Sequence, residues 1–140
     1  GAAKIQSQST SNPTSISQYA ALAALEGDQS CVQRMREEYA KRREFVVRRL
    51  RAMPGIACAE PWGAFYAFPN VSAHYGKRSR DREIRSSLDF GEALLEHAHL
   101  AVVPGAPFGS DRHVRLSYAA SIEALGRALD RLERFVKELR

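Results

Sequence analysis

The order and spacing of the apolar residues predict an α+β fold, a small, mostly antiparallel sheet covered by helices. Three observations carry this. Segments of helical period alternate with strand signals of only four to six residues. Their order along the chain is helix, strands, helix, strand, strand, helix, which suits one sheet layer packed under one helix layer. Finally, "HVRLSY" (113–118) alternates strictly: Val114, Leu116 and Tyr118 fall on one face and His113, Arg115 and Ser117 on the other.

Residues 4–15, "KIQSQSTSNPTS", are polar and broken by Asn12-Pro13, which predicts an extended strap. Ser15 is placed to cap a short helix, "ISQYAALAALEG", that Gly27 ends. Asp28 then caps a long helix to about Met53, stopped by Pro54-Gly55. Val32, Met35, Tyr39, Val46, Leu50 and Met53 keep helical spacing there, with Arg43 filling the skipped turn. "IACA" (56–59) and "AFYAF" (64–68) read as two strands joined by the turn Glu60-Pro61-Trp62-Gly63. Residues 69–86, with "HYGKRSRDRE", hold few core residues and predict a long mobile loop. A helix follows over 87–97, burying Phe90 and Leu94. Next come a strand "LAVV" (100–103), the tight loop "PGAPFG" (104–109) and the arginine strand. Ser121 caps a last helix whose Ile122, Leu125, Leu129, Leu132, Val136 and Leu139 alternate steps of three and four.

The chain's 140 residues suffice for one domain with a real core. At 44% hydrophobic and 26% charged, the composition is that of a globular protein, which excludes disordered and fibrous classes. No apolar run is long enough to span a bilayer. Cys31 and Cys58 read as small buried hydrophobes of a reducing compartment, which points to the cytoplasm. The opening Gly1-Ala2-Ala3, without an initiator methionine, suggests a piece of a longer chain. The net charge of +5 is concentrated between Arg34 and Arg51, where eight basic residues meet three acids. Such a helix could contact nucleic acid as a stand-alone basic binding module. The interleaved acids and the divergent azimuths of Lys41, Arg42 and Arg43 favour a solvated helix face, and so no nucleic-acid partner.

Arg115 is the sharpest feature. A guanidinium on a rigid strand, off the core face, offers a planar fork for a carboxylate or phosphate. The bland alternative is an arginine that snorkels into solvent. "PGAPFG" lacks the following helix that a phosphate loop needs, and Pro107 removes one amide, so it reads as a sharp turn into the arginine strand. His74, His97, His99, His113 and the two cysteines show no zinc spacing. No Gly-x-Ser-x-Gly elbow occurs, and no catalytic residue can be nominated.

"QSQSTSNPTSISQYAALAAL", "PWGAFYAFPNV", "AVVPGAPFG" and "HVRLSYA" stand in one order and spacing. Together these four blocks resemble class I pyridoxal-phosphate aminotransferases, and within them the bacterial aspartate aminotransferase group. The resemblance runs from Lys4 to the last helix. It implies the C-terminal small domain of a fold-type I enzyme over residues 28–140. Residues 1–27 would then be a strap and short helix on the large-domain and interface side. It also implies that Arg115 binds the substrate α-carboxylate, that Phe65 lies near it, and that Ser9, Thr10, Ser11 and Asn12 reach toward a partner subunit's active site in a homodimer. The substrates implied are an amino acid, aspartate above all, and a 2-oxo acid, with pyridoxal 5'-phosphate as cofactor. In the family the Schiff-base lysine lies upstream of the strap in a Ser-Lys context. Lys4, Lys41, Lys77 and Lys137 are the only lysines here, and none has that context. The expectation is therefore a portion that neither holds the cofactor nor transaminates alone.

Overall fold

The computed structural model describes all 140 residues. They form two compact units, Gly1–Met35 and Arg36–Arg140. In the first unit, α1 (Ala2–Ser9) and α2 (Ser15–Glu26) bury no residue. Helix α1 replaces the expected extended strap over its length. The reason is local. Ala2, Ala3, Lys4 and Gln6 are good helix formers. The serines that would normally compete with the helix turn their hydroxyls back onto it: Ser7 Oγ donates to the Lys4 carbonyl and Ser9 Oγ to the Ile5 carbonyl, both at 2.9 Å. Helix α2 is capped one residue earlier than the sequence implied, by Thr14, whose side chain accepts from the Ser17 amide.

Helix α3 (Ser30–Arg51) begins two residues after Asp28, whose carboxylate accepts from the Ser30 amide at 2.9 Å. Within the second unit its Val46, Val47 and Leu50 are buried. Val32 and Met35, which share their period, are about half exposed. Cys31 is also exposed, contrary to expectation, and only Cys58 is buried. Periodicity identifies a stripe, but a stripe is buried only where something covers it.

A three-stranded antiparallel sheet organises the second unit, in the order β1 (Tyr66–Ala67), β5 (Val114–Ser117), β4 (Val103–Pro104). Tyr66 pairs with Ser117 and Val103 with Arg115, so β5 is central. The expected strand at 56–59 shrinks to one bridge, Ala57 with Asn70, which in turn bridges to His113. Two helices, α4 (Ser87–Ala98) and α5 (Ile122–Glu138), join α3 in covering the core. Phe90 meets Phe135 edge to face at 5.5 Å, locking α4 to α5. Ser86 and Ser121 cap their helices through the Asp89 and Ala124 amides. Leu125, Leu129, Leu132, Val136 and Leu139 are buried as their spacing required, with Phe135 beside them.

The segment 69–86 departs most from expectation. It holds a 3-10 turn (Ser72–His74) and a hairpin of β2 (Arg78–Ser79) and β3 (Arg82–Glu83). Val71, His74, Ser79 and Ile84 are buried. With Pro69 also buried, five buried anchors scattered among many charges suffice to fix a segment whose composition reads as loop.

Candidate functional site

Alternation along β5 buries Val114, Leu116 and Tyr118 and leaves Arg115 half-buried on the open face of the sheet. Cross-strand register places Val103 and Tyr66 on that same face. The loop between β4 and β5 adds Phe108 from a 3-10 turn (Ala106–Phe108) that Gly109 ends at φ +82°. The Arg115 Cζ lies 4.4 Å from the Tyr66 ring centre and 4.5 Å from that of Phe108. Phe108 in turn meets Phe68 edge to face at 6.4 Å. Phe68 stacks on His113 at 4.8 Å, and His113 Nδ1 shares a 2.7 Å hydrogen bond with Ser110 Oγ. The arginine therefore sits at the end of a continuous set of ring contacts.

Its charge is not answered from within the chain. Arg42, Arg43, Arg49, Arg82 and Arg85 find carboxylates, whereas Arg115 makes no ion pair. Arg48, Arg112 and Arg127 make none either, but they are exposed, while Arg115 is half-buried mid-strand against two rings.

The sequence-nominated residues fall in three places. Arg115 is on the central strand. Phe65 precedes Tyr66, and its ring packs on Tyr39 at 4.7 Å, while the rings on the arginine are those of Tyr66 and Phe108. Ser9, Thr10, Ser11 and Asn12 belong to the first unit and are exposed, with Ser11 at φ 60°. Tyr118 and Ser117 serve structure: the Tyr118 hydroxyl donates to the Ala64 carbonyl at 3.1 Å, and Ser117 Oγ accepts from the Ala119 amide. Sequence reasoning missed Tyr66, which the alternation of "AFYAF" could have placed beside Arg115. It also missed Phe108, for which no periodic signal exists inside a proline-glycine loop.

A separate cavity of about 360 Å³, lined by Tyr39, Arg43, Trp62 and Tyr118 among others, excludes Arg115. The remaining histidines do not converge: His97 Nδ1 bonds Ser79 Oγ at 2.6 Å, His99 caps α4 at φ 53°, and His74 is buried. No three His, Cys, Asp or Glu side chains come together as a metal site, and no helix is long and apolar enough to cross a membrane.

Pyridoxal phosphate needs a lysine in a pocket. Lys4 and Lys41 are exposed, Lys77 stands only half-buried beside the hairpin, and Lys137 is held by Glu133 at 2.6 Å. The residues present do not fit the cofactor by themselves.

Comparison with known proteins bears on the whole chain. The family model for aminotransferase class I and II matches residues 1–132. An aspartate aminotransferase of Geobacillus stearothermophilus is 46% identical over 95% of the chain, covering 33% of that protein. An aspartate/prephenate aminotransferase of Cereibacter sphaeroides is 46% identical over 94% of the chain, covering 33% of that protein. The crystal structure of the aspartate aminotransferase from Rhizobium meliloti superposes with a TM-score of 0.92 at 42% identity, over 97% of this chain and 34% of that one. The chain thus spans about a third of the length of the relatives it matches. A fold with this central arginine strand and a match of this extent have one reading: the chain belongs to the class I and II aminotransferase family.

Proposed function

We propose that this chain is the C-terminal portion of a pyridoxal-phosphate-dependent aminotransferase that moves an amino group between an amino acid, aspartate above all, and a 2-oxo acid. Arg115 binds the substrate α-carboxylate. Residues 28–140 act as the small domain. Residues 1–27 belong to the large-domain and interface side of a cytoplasmic homodimer, where Ser9, Thr10, Ser11 and Asn12 approach the partner subunit's active site. Phe65 shapes the approach to the arginine from the neighbouring strand. The cofactor and its Schiff-base lysine come from outside these residues. One observation supports this most: the central strand carries a half-buried guanidinium that makes no ion pair within the chain, and both an amino acid and a 2-oxo acid present an α-carboxylate that it suits.

Arg115→Lys in the full-length protein tests the reading. Lysine keeps the charge but loses the two-pronged hydrogen bonding. A charge-assisted hydrogen bond contributes about 1.5–3 kcal/mol, so kcat/KM should fall about tenfold to a few hundredfold. Cofactor absorbance and the unfolding midpoint should stay unchanged. An unaltered kcat/KM, or a protein that no longer folds, would make Arg115 a structural residue.

A further inference from the structure

The rings around Arg115 constrain how it can meet a ligand. Tyr66 and Phe108 both lie within 4.5 Å of the guanidinium carbon. One ring comes from the neighbouring strand and the other from the loop between β4 and β5. Guanidinium N–H groups all point in the plane of the group. Hydrogen bonds to the group therefore form along the edge of that plane. A carboxylate, itself planar with two acceptor oxygens, meets such an edge in a coplanar, bidentate fashion.

The clamp is itself held. Tyr66 is fixed by its register with Ser117 on the central strand. Phe108 rests edge-on against Phe68, Phe68 is stacked parallel to His113 within 8°, and His113 is tied to Ser110. His113 lies two residues before Arg115 on the same face of β5, so the contacts return to the strand that carries the arginine. An arginine side chain free in solvent loses its rotamer freedom on binding; one already confined loses little. We infer that Tyr66 and Phe108 are positioning residues that hold the Arg115 guanidinium in place for the substrate carboxylate, an assignment that rests on the carboxylate role proposed for Arg115.

The test uses the full-length protein with its cofactor. An exposed cation–ring contact weakens binding by a factor of about 3 when lost and a desolvated one by about 30, which sets the range for Phe108→Leu and Tyr66→Leu. KM should rise by that factor for both the amino-acid and the 2-oxo-acid substrate, because both present the same α-carboxylate. The fall in kcat should stay smaller, since the contact exists in the ground state and the transition state alike. Succinate, a dicarboxylate with no amino group to react, should lose affinity in parallel by calorimetry. Tyr66→Phe and Phe108→Tyr, which restore a ring, should recover most of the lost affinity. Normal KM and succinate affinity in both leucine variants would overturn the clamp. So would a fall in unfolding midpoint unaccompanied by any change in KM. If Arg115→Lys also leaves succinate binding intact, the carboxylate reading fails first. If Arg115→Lys abolishes it while the leucine variants do not, only the clamp fails.

Discussion

Arg115 was legible as an oddity from strand alternation alone, because a two-residue period assigns every side chain to a face. Its ring neighbours were legible only in part. Tyr66 follows from the same alternation, but which strand pairs with which is a long-range fact that local pattern does not contain. Phe65, nominated for the same neighbourhood, stands beside Tyr66 in the chain and packs its ring on Tyr39. His74 makes the complementary point, since nothing in its charged surroundings announced a buried residue. It is 1% exposed and stands against Phe90. Burial first, then the nearby Lys77, hold its pKa below the ordinary 6.5, with the Pro54 carbonyl acting weakly the other way. The unfolded chain therefore takes up the proton before the folded one does. This contribution to stability is intact above about pH 6.5 and is lost as pH falls from there through the lower folded value. Denaturant midpoints measured between pH 8 and pH 5 should show it as a decline on the acid side. His74→Leu should flatten that decline, and an equal decline in both proteins would remove His74 as its source.

At the scale of elements, long periodic segments were read correctly and short irregular ones were not. Helix α5 offers its stripe over 17 residues, enough for the period to dominate. The hairpin of β2 and β3 has strands of two residues each, where no period can be measured. What fixes it is a set of distant partners. Arg82 bonds Glu92 at 2.8 Å and Glu96 at 3.3 Å on α4, and the Arg78 carbonyl accepts from the Arg140 amide. The loop "PGAPFG" was legible as a sharp turn, but the need for its first glycine was not. A Cβ at Gly105 would lie 2.3 Å from the His113 carbonyl oxygen and 2.4 Å from that of Ser110, while its φ of −81° is open to any residue. The constraint is thus backbone contact, not conformational freedom. Gly105→Ala must push the loop off β5, costing about 1–3 kcal/mol in urea unfolding as overpacking does. The same displacement moves Phe108, so KM should rise with the loss of stability. Gly63→Ala, with nothing within 4 Å of the added carbon, is the control and should leave the midpoint unchanged. Equal midpoints for the two variants would refute this account of the loop.

For the molecule as a whole, composition was a weaker guide than partnership. The excess charge between Arg34 and Arg51 suggested a basic surface, yet several of those arginines are answered by remote groups. Arg49 reaches Asp130 and Glu133 on α5, Arg43 reaches Glu60, and Arg51 donates to the Cys58 carbonyl. These contacts spread the charge of α3 over the body it packs on, and each exposed pair contributes little to stability. The fold class needed only element order, whereas the division at Met35 falls inside an unbroken helix, where no change of composition marks it. The same scale sets the limit on chemistry. Transamination needs an electron sink and a lysine that carries the proton, and the lysines here are exposed, half-buried or held by a carboxylate. The purified 140-residue chain, supplied with pyridoxal phosphate, aspartate and 2-oxoglutarate, should form no oxaloacetate above the rate of an Arg115→Lys control. Any imine it shows should be only the nonspecific one that exposed amines such as Lys4 and Lys41, or aspartate itself, form with the free aldehyde in solution. On the reading proposed for this chain, supplying the segment that precedes the matched third in a related aspartate aminotransferase as a separate chain should restore turnover in proportion to the complex formed. Turnover by the 140 residues alone would mean that one of the four lysines does what its surroundings argue against, and substituting Lys4, Lys41, Lys77 and Lys137 in turn would identify it.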